Sequence, residues 1–514
     1  MQKQVPKAYV LVSMDKNDIQ KMSAYTAKTL SSIVKTCLGP RAMQKMVLTK
    51  INSIELTNDG NSILREIDVS HPSARCLIEL AQTQDDECGD GTTTVLVLAS
   101  ELLDRMIPHL KDNHPIKICK MLSNAKEMCL NHLNSVSIEA KEEELIKIVS
   151  SSVATKLCSI LKVPIPQLAL NAAQLIKNNS EDSKIDIKND IKIEKIIGSF
   201  EESEIIEGII VEKDLVHSQM RKTIDNPKIL VLDCPLEYRK GESVTNMEFS
   251  DRNDFTKALR IEEDHVREMC RYIIEAGANI VITEKGISDL ALSILYENEI
   301  TAIRRVKKSD LIRISKATGT TIMSRIEGIS MKQLGSAGLF EYVKIGRDYF
   351  CKLSKCSNPK AISVVLRGPT KDLLAELERN FMDAIKIARN VLMNPKLVPG
   401  GGASEMSLGI HLCNNSTSEN YQVFKSCYEA LKAIPSIIST NSGTGKTLEI
   451  LYELEKQQRS KGSYIGINGI TGEISDVRNI VLEPLIVKSQ SIKSAFECVM
   501  QLLRVDGIIE SKSK

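Results

Sequence analysis

A chain of 514 residues exceeds the roughly 250–300 residues at which one hydrophobic core stops growing, so two or more domains are expected. With 42% hydrophobic and 26% charged residues, the composition is that of a soluble globular protein. The 68 basic and 66 acidic residues nearly cancel, which leaves no polyanion footprint. Aromatics at 4% and no Trp exclude a stacking platform for single-stranded nucleic acid. Thirteen cysteines are scattered without a CxxC pair, which reads as reduced thiols. Cys351 and Cys356, the nearest two, read as unpaired thiols. No apolar run reaches the roughly 18–20 residues that span a bilayer, and residues 1–17 lack a signal-peptide core. The expectation is a cytoplasmic protein with neither a membrane nor a nucleic-acid partner.

In chain order, Ile19, Met22, Ala27, Leu30, Ile33 and Val34 recur at helical spacing over 17–36, and Leu38-Gly39-Pro40 stops that helix. Residues 45–56 suit a hairpin, and Asn58-Asp59-Gly60 signals a tight turn. Residues 62–67 and 73–84 read as helices. After Cys88-Gly89-Asp90-Gly91-Thr92-Thr93-Thr94 comes an almost wholly apolar stretch, 95–110, expected to be a buried helix. From 139 to about 205 the pattern is helical, then rich in lysine and acid around 184–195, where exposed strands and turns are expected. Between 207 and 361, short β-rich runs at 228–233, 279–283 and 300–306 alternate with helical stretches at 255–275, 288–298 and 309–318. This predicts a parallel sheet covered by helices. A strand at 364–368 precedes a long helix over 371–394, with Leu374, Leu377, Phe381, Ala384, Ile385 and Ala388 on one face. Pro399-Gly400-Gly401-Gly402 breaks the chain before a return to helices.

Gly89-Asp90-Gly91-Thr92-Thr93-Thr94 is the most informative segment. Its glycines permit close backbone approach, and the threonines open a helix whose free N–H groups and dipole favour phosphate. A carboxylate in the same turn repels phosphate unless it holds a cation, and Mg2+ takes one or two carboxylates plus phosphate oxygens. The competing reading is an N-capped core helix after a flexible turn. Ser442-Gly443-Thr444-Gly445-Lys446-Thr447 imitates the end of a P-loop. However, Thr440 stands where the pattern needs glycine, and the preceding residues 423–439 read as helix, not strand. Asp59 and Asp383 are carboxylates that could orient water.

The order LGP, NDG, GDGTTT and, far downstream, VPGGGASE and EPLIVK resembles the chaperonin superfamily over nearly the whole chain. Residues 236–269 resemble the helical protrusion that serves group II chaperonins as a built-in lid. Several further segments, ITEKGISDLA and ITAIRRVKKSDLIRI among them, are similar to the eukaryotic cytosolic chaperonin. The resemblance implies a multidomain α+β chaperonin fold. Residues 1–138 and 398–514 would form a mainly α-helical equatorial ATP-binding domain. Residues 139–206 and 363–397 would form a small α/β intermediate hinge domain, and 207–362 an α/β apical substrate-binding domain.

The same resemblance implies the site. Gly39, Pro40 and Gly60 would line the nucleotide pocket, Asp90 would bind Mg2+, and Gly91, Thr92, Thr93 and Thr94 would hold phosphate oxygens. Lys156 would lie close to the nucleotide. Gly401 and Gly402 would face the nucleoside, Gly469 the base, and Glu483 the ribose hydroxyls, with Lys488 nearby. Asp59 and Asp383 would orient the attacking water. ATP hydrolysis would close the lid over clients such as actin and tubulin, within two stacked rings of eight paralogous subunits. Two rivals stand beside this reading: a chaperonin-like structural subunit with little turnover, and a P-loop ATPase built on Lys446. The stretch from Gly469 to Glu483 is about one residue shorter than the family pattern, and 441–446 departs from it.

Overall fold

The computed structural model describes residues 16–48, 54–69, 71–154, 156, 163–179, 185–238 and 252–508. The chain packs as two compact units: the described residues of Met1–Lys162 with Met382–Lys514, and those of Val163–Phe381.

The first unit is built around the helix Thr92–Met106, which packs against Lys16–Val34, Pro72–Cys88, Tyr421–Leu431 and Leu485–Leu503. Neighbours on every side explain why its sequence is apolar all round: Val95, Leu96, Val97, Leu98, Ala99, Leu102 and Leu103 are all buried. The helix begins three residues earlier than its apolar run, at Thr92, and passes into a 3-10 turn at Ile107–Lys111. The expected hairpin pairs Lys45–Leu48 antiparallel with Ile54–Thr57. Asn58-Asp59-Gly60 is not a hairpin turn. Asp59 is the N-cap of the helix Gly60–Glu66 and accepts from Ser62 N at 3.0 Å, the donor that a first helical turn leaves free. In this unit the strand Lys396–Pro399 runs antiparallel between Ile138–Glu139 and Leu482–Pro484, tying distant parts of the chain into one sheet.

In the second unit the predicted parallel sheet is present. Lys228–Leu232, Ile280–Thr283 and Thr301–Ile303 pair parallel in register, and Ile322–Met323 pairs parallel on the other side of the first. The helices Arg252–Ala276, Asp289–Glu297 and Lys308–Thr318 supply the crossovers. Of the expected protrusion at 236–269, residues 239–251 lie outside the described residues, as does residue 184 of the acid- and lysine-rich stretch.

The rest of that stretch differs from expectation. Ile191–Ile197 is not an exposed strand but pairs parallel with Ile362–Gly368. Its Lys192 is buried, donates to Ile210 O at 2.8 Å and pairs with Glu194 and Asp310, so the charge is compensated inside. A four-stranded antiparallel sheet, Ile209–Glu212, Asp348–Ser354, Leu339–Ile345 and Thr223–Asp225, has no counterpart in the sequence expectations.

Candidate functional site

The site residues come from eight stretches of the first unit. At its centre is the turn between the helices Pro72–Cys88 and Thr92–Met106. Gly89 and Gly91 both adopt left-handed backbone, with φ of 71° and 81°. A side chain at Gly91 would also meet Ser491 Oγ at 2.8 Å, so glycine is required twice over. The Asp90 carboxylate, in this turn, accepts from Gly91 N at 2.7 Å. Gln84, fully buried, donates to Asp90 O at 3.0 Å and ties the turn to the preceding helix.

Burial pushes the Asp90 carboxyl above its ordinary range and Asp59 adds to this, while the Gly91 N–H, Lys156 and Lys488 oppose it. A half-buried carboxylate within the field of two ammonium groups at a helix N-terminus suits an anion and its counter-cation. The donor set fits Mg2+, which asks the protein for few ligands. Among the described residues no group of three His, Cys, Asp or Glu side chains forms a metal cluster, as a metal shared with phosphate oxygens does not need one.

The segment beginning at Asp59 lies against this turn: a Cβ on Gly60 would sit 2.6 Å from Thr93 Oγ1 and 3.3 Å from Thr92 Oγ1. Lys156 is ion-paired with Asp383, which the helix Lys371–Met393 carries. Asp383 is largely buried, whereas a lone acid on a helix is ordinarily exposed. Burial, Asp59 and Asp85 raise its carboxyl to about 6 against the opposing charge of Lys156. Burial disfavours the Lys156 ammonium, yet Asp383 and Asp59 outweigh it and hold its pKa above the ordinary value. At neutral pH both are therefore charged.

On the other side, Glu483 faces the glycine break. It pairs in register with Val398, and a Cβ on Gly400 would lie 2.9 Å from its Oε1. Gly401 and Gly402 are both left-handed, and Gly401 O accepts from Ile467 N at 3.0 Å. Lys488 pairs with Glu483 at 3.0 Å and with Glu405 at 2.5 Å. Burial opposes the Lys488 charge, but the two carboxylates outweigh it and raise its pKa. The Glu483 carboxyl is raised by burial and by Glu405 and Asp90, against the pull of Lys488. Gly469 lies against Pro40, whose Cδ is 2.5 Å from where a Cβ would be. Gly39 has left-handed φ of 93° with open space beside it. Asn441 donates to Leu38 O at 2.8 Å, so the departing loop is fastened to this turn.

Sequence reasoning did not single out Gln84, Asp85, Lys386, Asn390 or Glu405. Only their charge or amide and their proximity to named residues could have suggested them. Lys446 is 72% exposed and paired with Glu449, and the helix Ala433–Asn441 precedes its loop. A P-loop is excluded by that geometry.

A helical unit that is discontinuous in sequence, with an α/β unit inserted in it and a glycine-bounded acidic turn opening its central helix, agrees with a chaperonin. The model of the TCP-1/cpn60 chaperonin family matches residues 30–513, and the chain belongs to that family. Within it, the chain is 56% identical to T-complex protein 1 subunit gamma of Encephalitozoon cuniculi over the full length of both. It is 41% identical to the gamma subunit of Schizosaccharomyces pombe, over 96% of each chain. It is 40% identical to that of Homo sapiens, over 96% of this chain and 93% of the relative.

Proposed function

We propose that this chain is the gamma-type subunit of a hetero-oligomeric cytosolic chaperonin and that it binds and hydrolyses Mg-ATP. The observation that carries the reading is the half-buried Asp90 carboxylate at the N-terminus of Thr92–Met106, its ionised form favoured by Lys156 and Lys488. In this account Gly91 and Thr92 to Thr94 take phosphate oxygens, and Asp90 holds Mg2+, which supplies neutralising charge when bound. Gly39, Pro40, Gly60, Gly401, Gly402 and Gly469 bring backbone against the nucleotide. Glu483, held by Lys488, takes the ribose hydroxyls.

Asp383 accepts from the attacking water on one side and Asp59 steadies it. Lys156 anchors the Asp383 carboxylate and is the cation within reach of an incoming phosphate. The chemistry is positioning and electrostatics, as phosphoryl transfer requires. The division into equatorial (1–138 and 398–514), intermediate (139–206 and 363–397) and apical (207–362) domains belongs to the same proposal. So do the two eight-membered rings of paralogues, closure of a built-in lid, and clients such as actin and tubulin.

The test is nucleotide binding to the assembled complex with and without Mg2+, comparing wild type with Asp90→Asn in this chain. The reading expects the Mg2+-dependent gain in affinity at this subunit to be lost. Equal Mg2+ dependence in the two would overturn it.

A further inference from the structure

The helix that carries Asp383 places Lys386 and Asn390 one and two turns further on, along one face. Lys386 Nζ donates to Asp85 Oδ1 at 3.0 Å and to Asp85 O at 2.9 Å. Asn390 Nδ2 donates to Cys88 O at 2.8 Å, and Arg389 donates to Glu87 O. Three residues of one helix, Lys386, Arg389 and Asn390, thus satisfy the last carbonyls of Pro72–Cys88, immediately before the turn that holds Asp90. Glycine already closes that helix end, since Gly89 N donates to Asp85 O at 2.8 Å. An ordinary C-cap needs no second helix.

The other carboxylate oxygen of Asp85 accepts from Asn61 Nδ2 at 2.6 Å, two residues beyond Asp59. Asp85 therefore touches both segments that carry the other two acids. The stem of Lys386 also lies over Gly89, where a Cβ would be 2.4 Å from Lys386 Cδ. The Lys386 and Asp85 side chains are 13% and 17% exposed, so solvent screens the pair only weakly.

We propose that Lys386 is a positioning residue for hydrolysis, fastening the Asp383 helix to the Asp90 turn through Asp85. This rests on the reading that Asp383 serves hydrolysis. The three acids act on one phosphate and one water, and a misplacement of about 1 Å costs about a hundredfold in such sites. Removing the latch loosens the geometry while leaving the nucleotide's own contacts in place, so turnover falls and affinity does not.

The experiment uses the assembled complex with Lys386→Met, which keeps the methylene stem over Gly89 and removes the charge, and Lys386→Arg, which restores it. For Lys386→Met we expect this subunit's share of turnover to fall about tenfold, with half-saturating ATP changed less than about twofold. In the nucleotide-free complex, amide hydrogens of residues 89–94 should exchange about fivefold faster. Lys386→Arg should recover both. Unchanged exchange, or turnover within twofold of wild type, overturns the proposal. An Asp383→Ala control with undiminished turnover would instead defeat the hydrolysis reading, and loop exchange would still decide whether Lys386 is the latch.

Discussion

Among the residues, the acids and their cations carry the sharpest consequences. The Asp383 carboxyl is raised to about 6, chiefly by burial, so it gains a proton well before an exposed carboxylate does. A protonated Asp383 cannot accept from water, and turnover should fall about tenfold per pH unit below about 6, read as an acid limb in the hydrolysis profile. The linkage runs the other way for stability. Between 3.8 and about 6 the folded chain holds the proton more tightly than the unfolded one, so Asp383 contributes stability that is lost as pH rises through that window. Glu405 and Lys488 form a pair 3% and 7% exposed. Glu405→Ala strips one partner from a buried ammonium and should cost about 3 kcal/mol in thermal unfolding, the low end for such a change because Glu483 remains. Gly91→Ala forces left-handed backbone on a residue with a side chain and drives its Cβ toward Ser491 Oγ, at 2.8 Å. It should lose about 1–2 kcal/mol and most nucleotide binding. The glycines and Asp90 could be read from the sequence because a left-handed turn before an apolar helix leaves a local signature. Asp85 and Lys386 could not, because their meaning depends on a contact between residues some three hundred positions apart in the chain, at 3.0 Å.

For the elements, patterning was legible where one face or a whole apolar run was buried, and misleading where charged residues are compensated inside. The helix Lys371–Met393 shows this: its six named apolar residues are all buried. The strand Ile191–Ile197 looked exposed because it is rich in lysine and acid, yet Lys192 is compensated inside by Glu194 and Asp310. The hairpin of Leu339–Ile345 and Asp348–Ser354 was overlooked although Gly346 sits in left-handed backbone at its turn, because its apolar residues do not alternate cleanly. Asp59 separates two roles. As the N-cap of Gly60–Glu66 it can be replaced by asparagine, which caps equally well. Asp59→Asn should therefore unfold within about 0.5 kcal/mol of wild type while losing hydrolysis, and Asp59→Ala should lose both, with a cap cost of about 1 kcal/mol.

For the whole molecule, the order of the motifs was the strongest signal, since segments from the first and last parts of the chain share one compact unit and an α/β unit is inserted between them in sequence. In the first unit the strand Lys396–Pro399, paired on both sides, and the turn at Asp90 realise that order. The imitation P-loop is a test of the same reading: Lys446→Ala should leave nucleotide affinity unchanged, because Lys446 is exposed and pairs with Glu449 of the helix it precedes. A loss of affinity there would mean that nucleotide sits elsewhere. The most direct measurement of the central claim is ATP hydrolysis and nucleotide binding by the assembled complex, with Asp383→Ala in this chain alone. The account predicts that this subunit's share of hydrolysis disappears while nucleotide stays bound. Hydrolysis unchanged from wild type would contradict it and leave a structural subunit with little turnover.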